Sequence, residues 1–216
     1  MALPDWLQPL ADAVPDVPAE YYSRFLPPEG EESRMSAVLA LFGEGEHGPD
    51  LLFIERAATL RSHAGQPAFP GGKVDPEDDG PVAAALREAR EEVGVDAKSV
   101  EVFDTLPALY LPPSGFTVVT VLAYWHTPHL VRAVDVAEVA KVERVPISEL
   151  ADPANRCRVG LRHGYEGPGF RVRDLLIWGF TAGLVDKLLA LGGWERPWRP
   201  GPFVERPVVQ EAVGGS

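Results

Sequence analysis

Cysteine is nearly absent from the chain, because Cys157 is the only one among 216 residues. A single thiol cannot form an intrachain disulfide, which excludes the class of small secreted proteins held together by disulfides. The first residues also lack a basic segment that leads into an apolar stretch, so we predict no secretory signal and a cytoplasmic location. Arg156 and Arg158 flank the thiol, but neither can act as a general base, and the expected role of Cys157 is packing.

Long apolar runs and an excess of positive charge are absent as well. No run reaches the roughly 18 apolar residues that indicate a membrane-spanning helix, so we predict no membrane partner. The 20 lysines and arginines are outnumbered by 32 aspartates and glutamates, for a formal net charge of −12. This charge repels polyanions, which excludes sequence-independent nucleic-acid binding. A small anionic substrate is compatible with it if a local cationic patch or a bound metal attracts the substrate.

The distribution of proline, glycine and apolar residues divides the chain into three parts. Residues 1–34 are rich in proline and acidic side chains, and we predict an N-terminal arm with a short helix near Ala19–Leu26. Residues 35–193 hold the periodic segments and form the predicted domain. Residues 194–216 are rich in Pro, Gly and Val and are predicted to lie along the surface as a C-terminal tail or to fray. The sequence leaves open whether the protein forms a homodimer.

Strand-like and helical patterns in the middle part predict a single mixed α/β domain. Pro81–Val95 is the clearest helix, since Pro81 suits a first helical position and Gly94 suits a C-terminal stop. A second helix is predicted over Val172–Leu191, and Arg56–Gly72 is predicted to be largely loop. The predicted strands are Ser36–Phe42, Leu51–Glu55, Val100–Asp104, Leu106–Leu111, Phe116–Tyr124 and Val139–Val145.

Three glutamates share one face of the first predicted helix. Glu91 and Glu92 follow Glu88 at the i+3 and i+4 positions, which places three carboxylates within about one turn. They lie in the last turns, where the helix dipole disfavours anions, and like charges at this spacing repel each other. One interpretation is a solvated face on which Arg87 and Glu91 form an ion pair. The other is a divalent cation, since Mg²⁺ takes carboxylate oxygens, backbone carbonyls and phosphates as ligands.

A glycine-containing turn and an acidic loop precede this helix. Phe69-Pro70-Gly71-Gly72 allows exposed backbone to come close to a ligand or a metal. Each feature alone is an ordinary turn or a solvated loop with a helix cap, but their order and spacing together favour a site. The acidic residues of the loop are Asp75, Glu77, Asp78 and Asp79.

Gly72, the acidic loop and the segment Arg87-Glu88-Ala89-Arg90-Glu91-Glu92-Val93-Gly94-Val95 together resemble the signature box of the Nudix hydrolases. The pattern of that family is Gly, five residues, Glu, seven residues, then Arg-Glu-apolar-x-Glu-Glu-x-Gly-apolar. Counting back from Arg87 places Asp79 at the first acidic position, with one residue more than the pattern between Gly72 and Asp79. This departure concerns the loop and leaves the helix intact.

The resemblance implies a Nudix fold, in which a mixed β-sheet lies between helices and the box forms a loop, a helix and a loop. It also implies a bound Mg²⁺ (or Mn²⁺). A box glutamate would accept a proton from the attacking water, with Glu138 as the second candidate for this base, and Arg87 would hold the carboxylates by ion pairing. The implied metal ligands are the carboxylates of Glu88, Glu91 and Glu92 and the carbonyl of Gly72.

A second, narrower resemblance begins upstream of the box. The segment Leu52–Gly72 is similar to the one that marks the coenzyme A diphosphatase branch, with Phe53 and Ile54 in place of its Leu and Thr. It implies hydrolysis of coenzyme A and its derivatives to 3′,5′-ADP and 4′-phosphopantetheine or its acyl form. The matching residues are Arg56, Ala57, Arg61, Gly65 and Phe69-Pro70-Gly71-Gly72. The residues predicted to bind substrate are Arg56, Arg61, Phe69, Gly71 and Lys73.

Alternatives to this function and to the role of the arginines stay open. Arg56 and Arg61 suit bidentate phosphate contacts, but they are equally expected to pair with Glu55 or with the helix carboxylates. Another nucleoside diphosphate derivative, such as ADP-ribose, is the second candidate substrate. A protein that binds a nucleotide without catalysis is the third reading, and the three glutamates argue against it because an anion binder gains nothing from them.

Overall fold

The structure is a computed structural model that describes residues 2–27, 34–60, 63–112, 114–160, 164, 166–199 and 201–207. Eight strands in these residues form one mixed sheet. They are β1 (Arg34–Gly45), β2 (Gly48–Arg56), β3 (Pro67–Ala68), β4 (Gly71–Lys73), β5 (Val100–Thr105), β6 (Leu109–Leu111), β7 (Phe116–Trp125) and β8 (Val139–Pro146).

Strand β1 is the organising strand of this sheet. It pairs antiparallel with β2 and with β4, and parallel with β7, which in turn carries β5 and β6. Strand β2 carries β8 and β3 on its other side. The short strand β3 and the first two residues of β4 lie in the segment Arg56–Gly72. The other described residues of this segment after Arg56 form turns and loop, as the prediction of a largely loop segment expects.

Both faces of the large sheet are buried. Side chains alternate along each central strand, and those on either face pack into a hydrophobic cluster. Ala40 and Phe42 of β1 belong to one hydrophobic cluster, and Leu39 and Leu41 belong to the cluster on the opposite face. Apolar residues fill both sets of positions, which explains why this strand reads as a nearly continuous apolar run in the sequence.

Helices cover the two faces of the sheet. Ala84, Ala85 and Ala89 of α3 pack on one face, while Leu184 and Leu188 of α5 pack on the other. The predicted mixed sheet between helices is therefore confirmed. Among the described residues no helix is both long and apolar enough to cross a membrane. The helices are α1 (Gln8–Ala13), α2 (Ala19–Tyr22), α3 (Gly80–Val93), α4 (Ile147–Leu150) and α5 (Gly179–Leu191).

A second, smaller sheet corrects the prediction of a helix over Val172–Leu191. Leu175–Ile177 pairs with the preceding strand instead, and the helix begins only at Gly179. A short apolar run has no period that distinguishes strand from helix, and the turn at Arg173 (φ 54°) brings the run back against its neighbour. The strands of this sheet are β9 (Arg156–Gly160), β10 (Glu166–Val172), β11 (Leu175–Ile177) and β12 (Phe203–Glu205).

The segments that flank the predicted domain contribute to its core. Leu7 and Leu10 are fully buried in the same cluster as α5, and the helix α1 that carries Leu10 was not predicted. The helix expected near Ala19–Leu26 is present as the shorter α2. In the tail, Trp194 packs against the same cluster and β12 pairs with β9. The boundaries at residues 34 and 193 stay a prediction.

The lone cysteine occupies the position expected of a packing residue. Cys157 lies in β9 with 1 % of its surface exposed. Burial raises the pKa of its thiol, against the opposing charges of Arg171 and Arg156. A neutral, enclosed thiol is a poor nucleophile.

Replacing Leu10 by alanine tests whether the N-terminal helix belongs to the folded core. We expect Leu10→Ala to lower the free energy of unfolding by about 2–5 kcal/mol, because it opens a cavity in a fully buried site. Leu130→Ala is the matched control, since Leu130 is 92 % exposed, and should change stability by less than about 0.5 kcal/mol. Urea denaturation of the three proteins measures both values. Equal stability of wild type and Leu10→Ala would show that α1 does not dock.

Candidate active site

A pair of glycines lets strand β4 lie close to β1 on one side and to α3 on the other. Gly71 and Gly72 lie in β4, with Gly72 opposite Ala37 of β1. A Cβ atom on Gly71 would overlap the backbone of Ala37 and Val38, and one on Gly72 would overlap the carboxylate of Glu88. At Gly71 only glycine allows the close approach to the backbone of β1, whereas a side chain at Gly72 would displace the Glu88 carboxylate.

The carboxylate of Glu92 is buried at the last turn of α3, where 3 % of its side chain is exposed. Its Oε2 accepts a hydrogen bond of 2.9 Å from the N–H of Gly71, whereas its Oε1 has no hydrogen-bond partner. Burial raises the pKa of Glu92 to about 7, although the Gly71 N–H and the Arg56 guanidinium act in the opposite direction. A buried carboxylate with one oxygen unsatisfied calls for a further positive or donating group.

Glu88 lies one turn earlier on α3 and places its carboxylate against Gly72. Burial raises the pKa of Glu88 as well, and the neighbouring Arg87 opposes this effect. The carbonyl of Gly72 accepts a hydrogen bond from Ser36 Oγ of β1. Because β4 runs beneath the helix, two carboxylates of α3 and the backbone of Gly71 and Gly72 are brought together.

The third predicted carboxylate takes a different position. Glu91 is 59 % exposed, and its Oε2 lies 3.2 Å from Nη1 of Arg87. This contact is the solvated i, i+4 ion pair that the sequence offered as an alternative. Within the described residues, no three His, Cys, Asp or Glu side chains are grouped so that they could hold a metal ion by themselves.

Arg87 is the centre of an ion-pair network that joins the acidic loop to α3. Its Nε and Nη2 donate to the two carboxylate oxygens of Asp78 at 2.9 and 2.8 Å. Nη1 donates to Glu88 Oε1 at 3.0 Å, and Nη2 also donates to the Lys73 carbonyl at 3.1 Å. The hydrogen bonds from Arg87 lower the pKa of Asp78 to about 2. This is the geometry that the expected role of Arg87 in holding the carboxylates requires.

Asp78 is the loop acid that binds Arg87 through both of its oxygens, and Oδ2 of the more exposed Asp75 lies 3.4 Å from Arg87 Nη2. The sequence pattern, counted back from Arg87, predicts Asp79 at the first acidic position instead. Asp79 is exposed and makes no side-chain hydrogen bond to cap α3. Counting forward from Gly72 instead of backward from Arg87 leads to Asp78, with five residues between the two as in the family pattern. The five-residue spacing from Gly72 is therefore the sequence signal that identifies Asp78.

Arg56, at the end of β2, lies between two carboxylates. Its Nη1 is 3.8 Å from Oε1 of Glu92, and its Nη2 is 4.0 Å from Oε2 of Glu138. The Glu138 side chain is 48 % exposed. The backbone carbonyl of Glu138 accepts a hydrogen bond of 2.7 Å from the N–H of Ala57. After burial, the charge of Glu138 contributes to the raised pKa values of Glu88 and Glu92. The structure thus brings Glu138 to the edge of the glutamate pair.

The other residues predicted to bind substrate differ in burial in the part of the chain that the structure describes. Phe69 is 3 % exposed, and its ring stacks on Phe53 with 5.2 Å between centroids. Phe69 therefore packs in the core, and its predicted contact with substrate stays a prediction. The N–H of Gly71 is taken by Glu92, and Lys73 is exposed at the end of β4. Arg61 lies outside the described residues.

Comparison with known proteins identifies the family to which this site belongs. A family model described as the NUDIX domain matches residues 33–161. The chain belongs to the Nudix family. It is 41 % identical over 145 residues to an uncharacterized Nudix hydrolase NudL of Photorhabdus laumondii, with 65 % of this chain and 75 % of the relative covered. Its identity to the uncharacterized NudL of Citrobacter koseri is 40 % over 149 residues, covering 65 % and 73 %.

Solved structures agree with this assignment at the level of the fold. A Nudix hydrolase from M. smegmatis, RenU, matches with a TM-score of 0.54 and 21 % identity, covering 74 % of this chain and 86 % of that chain. A MutT/nudix family protein from Enterococcus faecalis matches with a TM-score of 0.50 and 18 % identity, covering 88 % and 74 %. Its family and its relatives named Nudix hydrolase indicate that this protein is a hydrolase of phosphoanhydride bonds.

Nudix hydrolases generally use divalent metal ions such as Mg²⁺, and the residues present fit such an ion. The unsatisfied Oε1 of Glu92, the carboxylate of Glu88 and the carbonyl of Gly72 are all oxygen donors, which Mg²⁺ and Mn²⁺ prefer. Two carboxylates with a carbonyl leave the remaining positions to water and substrate phosphates, as is usual for Mg²⁺.

The raised pKa of Glu92 predicts how the stability of the metal-free protein depends on pH. The folded-state pKa of about 7 lies above the ordinary value of 4.5, so between these values the folded state holds a proton that the unfolded state has lost. The contribution of Glu92 is therefore fully present below about pH 4.5 and is lost as the pH rises through about 7.

Urea denaturation of chelator-treated protein at pH values from 5 to 8 measures this slope. We expect Glu92→Gln to flatten the fall in stability, because glutamine does not titrate. Glu46→Gln, at an exposed position in the turn between β1 and β2, is the matched control and should keep the wild-type slope. Parallel curves for wild type and Glu92→Gln would contradict the assignment of the buried proton to Glu92.

Proposed function

We propose that this Nudix hydrolase cleaves the diphosphate bond of coenzyme A and its derivatives with Mg²⁺ or Mn²⁺, releasing 3′,5′-ADP and 4′-phosphopantetheine or its acyl form. The observation that carries the hydrolytic part is the buried Glu92 carboxylate, whose Oε1 has no hydrogen-bond partner. The coenzyme A part is supported by the residues of Leu52–Gly72 that match the coenzyme A diphosphatase segment. The predicted cytoplasmic location belongs to the same proposal.

Each residue of the box has a separate task in this proposal. Glu88, Glu92 and the Gly72 carbonyl would hold the cation, and the more exposed Glu91 would be a further ligand. When bound, the divalent cation supplies neutralisation of the diphosphate charge and a lowered pKa of water. Arg87 fixes the orientation of Glu88 through the 3.0 Å contact between Nη1 and Oε1.

The attacking water needs a carboxylate that accepts its proton. Glu138 suits this task, because its side chain is half exposed and stands beside Arg56 at the edge of the glutamate pair. A glutamate of the box, such as Glu91, is the other candidate base. In-line attack of the water at phosphorus then expels the second phosphate, and no covalent enzyme intermediate forms.

Arg56 is the proposed contact to the substrate phosphates. Its 3.8 and 4.0 Å contacts to Glu92 and Glu138 are ion pairs, too long for hydrogen bonds. The guanidinium can therefore turn its N–H groups to a phosphate once a cation satisfies the carboxylates. Arg61 and Lys73 complete the proposed cationic patch that an anionic substrate needs near a chain of net charge −12.

A panel of diphosphate substrates tests the proposed reaction. We expect coenzyme A to be cleaved with a higher kcat/KM than ADP-ribose, with the products identified by mass and with complete loss of activity in EDTA. Glu92→Gln should lower kcat by about 10²- to 10³-fold, the range for removing one preorganised group that stabilises charge. Glu46→Gln is again the control. If ADP-ribose is preferred, it replaces coenzyme A as the proposed substrate. If no diphosphate is cleaved, the protein is a nucleotide-binding regulator instead of an enzyme.

The branch-level assignment predicts a selective role for Arg61. If this residue binds the 3′-phosphate, Arg61→Ala should lower kcat/KM for coenzyme A by roughly ten- to a hundredfold, because a charge-assisted hydrogen bond contributes roughly 1.5–3 kcal/mol. ADP-ribose lacks this phosphate, so its kcat/KM should fall much less. Steady-state kinetics on both substrates measures the difference. Equal losses would mean that Arg61 contacts the shared diphosphate or supports the loop.

A further inference from the structure

The contact between the Asp78 carboxylate and the Arg87 guanidinium is bidentate. Both oxygens of the Asp78 carboxylate accept hydrogen bonds from one guanidinium, at 2.9 and 2.8 Å. Nη1 of the same guanidinium donates to Glu88 at 3.0 Å and to Glu91 at 3.2 Å. Asp75 Oδ2 lies farther from the same edge, 3.4 Å from Nη2. Because the guanidinium is planar and rigid, holding its Nε and Nη2 edge by Asp78 fixes the direction of the third nitrogen, Nη1. Asp78 therefore orients Arg87, and Arg87 in turn holds the carboxylates of Glu88 and Glu91.

Two departures from the family pattern occur together at this contact. The pattern has a glutamate at this position and seven residues between it and the arginine, whereas here the acid is the shorter Asp78 and eight residues separate it from Arg87. The additional residue lies between the acid and the helix that carries the arginine. A shorter side chain reaches the same guanidinium only if the backbone comes closer, and an extra residue gives the backbone that freedom.

We propose that the aspartate and the additional loop residue form one compensating unit, in which Asp79 acts as a backbone spacer that lets Asp78 position Glu88 and Glu91 through Arg87. Asp78 is in this sense a positioning residue for the metal-binding carboxylates. The inference rests on the divalent-metal part of the proposed function and does not depend on coenzyme A as the substrate.

The geometry of the loop supports this assignment. Asp78 and Asp75 form a closed turn, in which Asp78 N–H donates to the Asp75 carbonyl at 3.0 Å and Asp75 N–H donates to Asp78 Oδ2 at 2.9 Å. The chain then passes through Asp79 (φ −77°, ψ 59°) and Gly80 (φ 81°) before the helix continues. The left-handed conformation at Gly80 is one that glycine adopts without strain, and it turns the chain sharply into α3.

The side chains of the two neighbouring acids differ in the way that the proposal requires. Asp78 is mostly buried, with 7 % of its side chain exposed, and its low pKa of about 2 reflects the hydrogen bonds from Arg87. Asp79 is exposed and makes no capping hydrogen bond. The carboxylate of Asp78 and the backbone of Asp79 are therefore the parts that act, and the carboxylate of Asp79 is dispensable.

Binding of Mn²⁺, followed by titration calorimetry, tests the positioning role. We expect Asp78→Asn to weaken binding by about 10- to 100-fold, the range for the loss of a partner that orients a metal ligand. The asparagine still accepts the Asp75 N–H, so the loop turn is kept. Asp79→Ala should bind as the wild type does, and Glu77→Ala, at an exposed position in the same loop, is the matched control. Wild-type affinity in Asp78→Asn, or an equal loss in Asp79→Ala, would overturn the proposal.

Lengthening the side chain at position 78 while shortening the loop by one residue tests whether the two features compensate each other. Asp78→Glu and deletion of Asp79 should each weaken Mn²⁺ binding and lower the unfolding temperature of the metal-free protein. The protein that carries both changes should recover affinity to within about threefold of the wild type, together with its unfolding temperature, because the two changes are coupled. A combined variant no better than the worse single one would overturn the inference.

The two readouts separate this inference from the proposed function. Failure of the wild-type protein to bind Mn²⁺ would contradict the metal part of the proposed function. The unfolding temperatures of the metal-free variants would still decide the compensation between Asp78 and Asp79, since that measurement needs no metal and no substrate.

Discussion

The site is organised around a carboxylate that the fold buries without fully satisfying. Glu92 receives one hydrogen bond from Gly71, and its other oxygen has only the guanidinium of Arg56 at 3.8 Å. An uncompensated buried charge costs several kcal/mol, so this position selects for a proton or for a cation. Three neighbours bear on this charge. Gly71 of β4 donates a hydrogen bond to it, Arg56 at the end of β2 forms an ion pair with it, and the half-exposed Glu138 lies on the other side of Arg56.

The charges of the glutamates would destabilise α3 if nothing neutralised them and nothing bound the carbonyls at its C-terminus. Three carboxylates lie near the C-terminus of α3, where the helix dipole favours cations. The structure offsets this in two ways. Arg87 binds two of the glutamates, and the backbone N–H groups of Arg132 and Val134 donate to the carbonyls of Val93 and Glu92. Gly94, at φ 79°, ends the helix in the left-handed conformation.

Strand β1 supports both the glycine strand and the helix of the site. β1 pairs with β4 through Ala37 and donates Ser36 to the Gly72 carbonyl, while small residues such as Ala84 and Ala85 let α3 lie close to the sheet. Functional groups on strands and helices hold their positions more closely than groups on loops. The acidic loop, by contrast, depends on Arg87 for its attachment to the helix.

The sequence by itself determined the family, the mixed α/β class and the helix that begins near Pro81, because these depend on local spacing and on a specific motif. Helical spacing also placed Glu88, Glu91 and Glu92 close together, but only the tertiary structure decided which of them is buried. That choice depends on where β4 crosses beneath the helix, and no local pattern encodes this crossing. The same reason explains why Leu175–Ile177 is a strand, since pairing with a neighbour across a turn outweighs the periodicity of a short apolar run.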